Sequence, residues 1–117
     1  MNLCLGTDSL ASARTDGAAP PTLSLFEDMA RFASRDATVS PEAILRLATA
    51  NGARALGLAG VVGELSPGAL ADIIALPHFS GLHDVFEDVI HHAGPVRASM
   101  IGGEWIRKDG QPTGAWT

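Results

Sequence analysis

The chain's 117 residues make one small domain, less than half the roughly 250 residues of a complete eight-stranded α/β barrel, so no large enzyme fold fits in it whole. A composition 46% hydrophobic and 18% charged excludes disorder as the main state, and a net charge of -5 with eight scattered basic residues excludes a phosphate-neutralising surface for nucleic acid. The lone Cys4 permits no internal disulfide and no run approaches the ~18 apolar residues of a membrane span, so a soluble chain in a reducing cytoplasm, with no membrane partner, is expected.

Asn2-Leu3-Cys4-Leu5-Gly6 opens the chain as a short apolar run without polar alternation, the pattern of a parallel strand covered on both faces. Such a strand needs neighbours, and no similar run follows until well past residue 60, so the segment reads as cut from a larger sheet. Ser12 to Thr22, with Gly17 and Pro20-Pro21, is a loop by composition. Ser24-Leu25-Phe26-Glu27 then has capping-box spacing and predicts a helix from about Ser24 to Ser34. Ser40-Pro41-Glu42 starts a second, with serine at the N-cap and proline at the first helical position, ending near Asn51-Gly52; Ala53 to Leu56 adds a further turn. Leu25, Met29, Ile44 and Leu47 should face a common apolar surface.

From Gly63 the period changes. Pro67-Gly68 suits a type II turn between Glu64-Leu65 and the apolar strand Ile73 to Leu76. Asp84 and Glu87 make another capping box, Val85, Phe86, Val89 and Ile90 give its helix one apolar face, and Gly94-Pro95 closes it. Val96 to Ile101, Gly102-Gly103 and Glu104 to Arg107 read as a hairpin with a two-residue turn, followed by a reversal at Asp109-Gly110. Glu64 to Leu76 and Val96 to Arg107 are expected to form one small sheet separate from the first segment.

Among residues that could carry chemistry, Asp8 stands just past the apolar run, where a carboxylate can hold a metal or move a proton to and from an activated water. The alternative is that it caps the turn. Ser9 and Ser12 have no nucleophile elbow around them and no spacing to a histidine. His78, His83, His91 and His92 lack metal-ligand spacing and read as surface or helix-end residues. Gly57, Gly60 and Gly63 follow a helix instead of opening one, so they serve turns and not a dinucleotide. Trp105 in a hairpin strand reads as packing across to its neighbour; Trp116 could line a pocket.

Three segments in order form a wider pattern: Leu5-Gly6-Thr7-Asp8-Ser9-Leu10-Ala11-Ser12, then Leu25-Phe26-Glu27-Asp28-Met29, then Ala48-Thr49-Ala50-Asn51-Gly52-Ala53-Arg54-Ala55-Leu56-Gly57. Gly63-Glu64-Leu65-Ser66-Pro67-Gly68-Ala69-Leu70-Ala71-Asp72 completes it. The ordered set resembles the C-terminal part of the amidohydrolase superfamily, in its cytosine deaminase and chlorohydrolase-like branch, from about Leu3 to Ile106. The resemblance implies an α/β fold: a C-terminal fragment of an eight-stranded metallo-hydrolase barrel, its last strand and following helices in residues 1–60, with strands of a small β-sandwich and one helix in residues 61–117. It also implies that Asp8 is the aspartate after the eighth strand, both catalytic and facing a divalent metal, zinc or iron. The family's other metal ligands match none of this chain's histidines, and Ala69 stands where the family often has lysine.

The expectation is therefore the C-terminal portion of a metal-dependent amidohydrolase that hydrolyses C–N bonds, deaminating an amino-substituted heterocycle, with dechlorination on the same site layout as a variant. Its partners would be a small-molecule substrate, the missing N-terminal barrel portion and, in a homo-oligomer, further copies of itself. The alternatives are a non-catalytic binding or scaffold module whose strand edges pair with another subunit, and a small standalone hydrolase built on Asp8 and the histidines.

Overall fold

The computed structural model describes residues 1–9, 23–78 and 85–113. After an irregular N-terminal segment come α1 (Leu25–Arg35), α2 (Pro41–Ala48) and α3 (Ala50–Ala55), then β1 (Ile73–Ala75), α4 (Val85–Ile90), β2 (Ala98–Ile101), β3 (Glu104–Lys108) and β4 (Gln111–Pro112). Both predicted helix starts form as the side chains dictate. The Ser24 hydroxyl accepts from the Glu27 N–H (3.4 Å) and the Ser40 hydroxyl from the Ala43 N–H (3.2 Å), satisfying donors that a helix leaves open in its first turn. Arg31 reaches back to Glu27 on the exposed face of α1 at 3.4 Å.

Met29, Ile44 and Ile90 are buried together, one from each of α1, α2 and α4, with Leu5, Phe26, Phe32, Val39 and Leu45 packed around them. Each such side chain removed from water contributes about 1.5–3 kcal/mol, so this three-helix contact is the main apolar tie in the fold. Of the four residues expected on a common surface, Met29 and Ile44 lie in the cluster. Leu25 and Leu47 are half-buried but lie outside it, and Phe26 and Leu45 pack against it instead.

Asn2 to Gly6 carries no strand. A parallel strand needs a hydrogen-bonded neighbour, and the described residues supply none; the segment lies instead against the α2–α3 junction. The expected helix end at Asn51-Gly52 is also displaced: the interruption falls at Thr49, and Asn51 and Gly52 lie inside α3. Glu64 is in a bend and Leu65 is irregular, so neither forms the expected strand.

The sheet is an antiparallel meander in the order β1-β2-β3-β4. Ile73 faces Met100 and Ala75 faces Ala98; Ile101 faces Glu104 across the Gly102-Gly103 turn, and Lys108 faces Gln111 across Asp109-Gly110. Gly102 (φ 56°) and Gly103 (φ 86°) supply the two positive φ angles of a tight hairpin turn whose twist matches its strands. The Ser66-Pro67-Gly68-Ala69 turn closes through the Ala69 N–H and the Ser66 carbonyl at 3.1 Å. Asp72 then pins the far hairpin: its carboxylate accepts the Gly102 N–H at 2.7 Å, while the Ala71 carbonyl accepts from Gly103. The sheet carries exposed apolar side chains, Ile101 (57%), Ile74 (52%) and Trp105 (44%) among them. Among the described residues no helix is long and apolar enough to cross a membrane.

Candidate functional site

The placement of Asp8 begins with Thr49. Its backbone (φ -124°, ψ -95°) leaves the helical region, its N–H turns back to the Arg46 carbonyl, and its hydroxyl donates to the Leu45 carbonyl at 2.8 Å. Carbonyls in the last turn of a helix lack intrahelical partners, and the one at Leu47 accepts the Leu5 N–H at 3.0 Å. Two amide side chains lock the same approach. Asn51 donates from its side chain to the Leu3 carbonyl (2.9 Å), and Asn2 donates from its own to the Asn51 carbonyl (2.9 Å). Leu5 packs on the Met29–Ile44–Ile90 cluster. The N-terminal segment is thus held at Asn2, Leu3 and Leu5 before it reaches Asp8.

Asp8 is exposed and has a backbone φ of +60°. That left-handed conformation is uncommon outside glycine, though aspartate tolerates it better than most residues. The residue stands three positions past Leu5, in an irregular stretch, and is open to solvent. Ser9 beside it is exposed too; Ser12, His83, Asp84 and Trp116 lie outside the described residues.

The remaining histidines do not converge on Asp8 as ligands. His91 pairs with Glu87 one turn back on α4 (3.4 Å), and the His92 ring bonds the Gly94 carbonyl (3.2 Å) while lying edge-on to Phe26 at 4.9 Å. Both serve the end of α4. Gly57, Gly60 and Gly63 all have positive φ in the turns after α3. At Gly63 there is no room either: a Cβ would sit 2.9 Å from the Thr49 carbonyl oxygen and 3.1 Å from the Ala53 Cβ. Trp105 packs opposite Met100 with the Lys108 ammonium 5.7 Å from its ring centre, a structural position.

Sequence reasoning missed one feature. An open cavity of about 510 Å³ lies between α2, α4 and the β1 region, lined by apolar side chains such as Leu45, Ile74, Leu76 and Val89. At its wall the His78 Nδ1 and an Asp88 carboxylate oxygen are 2.7 Å apart. The two residues are ten positions apart, His78 in the irregular chain past β1 and Asp88 on α4, with no shared periodicity that could have flagged them. Among the described residues no group of three or more His, Cys, Asp or Glu side chains could hold a metal ion.

Comparison with known proteins gives a consistent family. The model of the amidohydrolase family matches residues 1–106. A 5-methylthioadenosine/S-adenosylhomocysteine deaminase of Syntrophobacter fumaroxidans is 37% identical over 93% of this chain and 26% of its own length. A 5'-deoxyadenosine deaminase of Methanosarcina mazei is 34% identical over 93% of this chain and 26% of its own length. The crystal structure of an adenosine deaminase from Xanthomonas campestris with bound zinc superposes with a TM-score of 0.74 at 28% identity, covering 97% of this chain and 27% of that one. The chain therefore spans about a quarter of the length of the relatives it matches.

Proposed function

The chain belongs to the amidohydrolase family, and from that premise we propose that it is the C-terminal portion of a hydrolytic deaminase acting on an amino-substituted heterocycle, with Asp8 as its proton-transfer group. The observation that carries the reading is the mounting of Asp8: an exposed residue with a left-handed backbone, shortly after a segment held by three hydrogen bonds to the α2–α3 junction. Unusual backbone conformations concentrate where a side chain must be aimed.

Hydrolytic deamination adds water across the ring carbon that bears the amino group and releases ammonia. One proton must leave the attacking water and one must reach the departing nitrogen. A single carboxylate can do both in turn, accepting the first proton as the C–O bond forms and delivering it as the C–N bond breaks. Relatives named for adenosine derivatives favour a 6-aminopurine nucleoside over other aminated rings, and deamination over dechlorination. A catalytic zinc needs about three protein ligands in fixed geometry, and the described residues gather no such group around Asp8, so by themselves they do not fit a metal centre.

In this reading residues 1–60 carry the last barrel strand and its helices, residues 61–117 the sandwich strands, and Ile90 ties the two through the shared core. The Asn2–Gly6 run would become a strand beside neighbours from the N-terminal portion, which would also cover the apolar sheet bearing Ile74 and Ile101. Placed in an intact deaminase carrying this segment, Asp8→Asn keeps the shape and removes the base. Turnover is then expected to fall at least ~100-fold with KM little changed; near-normal turnover would assign Asp8 to the turn alone.

A further inference from the structure

Asp8 makes none of the contacts that hold its own segment; those contacts belong to Asn51 and its surroundings. The Asn51 side chain donates to the Leu3 carbonyl at 2.9 Å, the Asn51 backbone carbonyl accepts the Asn2 side chain at 2.9 Å, and one turn earlier the Leu47 carbonyl takes the Leu5 N–H at 3.0 Å. The Asn51 pair is reciprocal and spans 48 and 49 positions of sequence, so it fixes both the lateral position and the register of residues 2–5. Asp8 follows after two residues, Gly6 and Thr7. An error of one residue in that register would move the carboxylate by a full residue's rise, more than 3 Å.

From this geometry we infer that Asn51 is a positioning residue: it sets where the Asp8 carboxylate stands, through its paired hydrogen bonds to Asn2 and Leu3. The inference rests on the proposed role of Asp8. The chemistry needed at position 51 is specific. An amide offers a donor to Leu3 from a side chain short enough to keep the α3 backbone close to Asn2, whereas an aspartate of the same shape presents an oxygen to the Leu3 carbonyl and repels it. Thr49 and Gly63 act upstream of this contact. The Thr49 break sets the start of α3 apart from α2, and Gly63 has no side chain to press on the Thr49 carbonyl.

The test is a full-length deaminase relative whose matching segment is replaced by this chain, compared with its Asn51→Asp, Asn51→Gln and Asp8→Asn variants and the Asp8→Asn/Asn51→Asp double variant, assayed on an adenosine derivative. Misplacing a catalytic group by about 1 Å can cost ~100-fold, so Asn51→Asp is expected to lower kcat about 10- to 100-fold with KM within about twofold of the parent. Asn51→Gln, which keeps the donor, should recover part of the loss. The double variant should be no slower than Asp8→Asn alone, since a misplaced base costs nothing once the base is gone. Losses that multiply in the double variant, a kcat unmoved by Asn51→Asp, or a KM that rises while kcat holds would overturn the inference. A parent chimera without deaminase activity, or an Asp8→Asn variant with normal turnover, would instead overturn the proposed function on which it rests.

Discussion

Replacing Gly63 with alanine perturbs the turn that faces the α2–α3 break, and its cost can be worked from two independent terms. The first is conformational: Gly63 has φ +82°, and a side chain in the left-handed region costs about 1–2 kcal/mol. The second is steric. The new Cβ would lie 2.9 Å from the Thr49 carbonyl oxygen, 3.0 Å from its carbon and 3.1 Å from the Ala53 Cβ. Two of these three are backbone atoms that cannot swing aside, and Ala53 is itself buried, so an overpacking cost of about 1–3 kcal/mol adds to the first. Gly57→Ala is the matched control, since it has φ +73° and nothing within 4 Å of its Cβ, and should show the conformational term alone. Urea unfolding of the intact protein, followed by circular dichroism, separates the two. With a slope of about 1.5 kcal/mol/M, the midpoint should fall by about 1–3 M for Gly63→Ala and by about 1 M for Gly57→Ala. Equal midpoints for the two variants would mean that Thr49 backs away freely, and the steric argument would fail.

Ile44 is fully buried at the meeting of α1, α2 and α4, so Ile44→Ala should cost about 2–5 kcal/mol in the same urea assay, a loss below 1 kcal/mol showing that the three helices repack around it. Asp36, exposed just past α1, is held below the usual carboxylate range by the Thr38 hydroxyl and then by the Thr38 N–H. A folded-state pKa below the unfolded value means that this contribution to stability is present above pH ~4 and is lost as pH falls through the folded pKa. An NMR titration should find the Asp36 midpoint low in the native chain and higher in Thr38→Ala, and an unchanged midpoint would remove the hydroxyl as its cause. A catalytic zinc needs about three protein ligands and the chain's histidines lack metal-ligand spacing, so the isolated 117-residue chain should bind no stoichiometric zinc after dialysis, as read by elemental analysis; one retained zinc per chain would mean that ligands for a complete site lie within it.

Features whose cause lies within about four residues could be read from the string of amino acids alone. Ser24 and Ser40 cap their helices because the groups they satisfy are three positions away, and Gly102-Gly103 turns the hairpin because both residues tolerate positive φ. The ordered motifs around Asp8, Asn51 and Asp72 carried the family in the same way. What distance in sequence conceals, only folding decided. Asn2 to Gly6 has the composition of a covered strand, but a strand is a property of a pair, and without a partner the segment spends its hydrogen bonds on Leu47 and Asn51. Periodicity marked Leu25 and Leu47 as inward, whereas the packing brought Phe26 and Leu45 against the buried cluster. His78, three residues past β1, and Asp88 on α4 meet at 2.7 Å only because the chain after β1 and α4 border one cavity. The break at Thr49 ended a helical pattern that continued unbroken through Asn51, since neither its hydroxyl bond to Leu45 nor the close approach of Gly63 can be seen before the chain has turned back on itself.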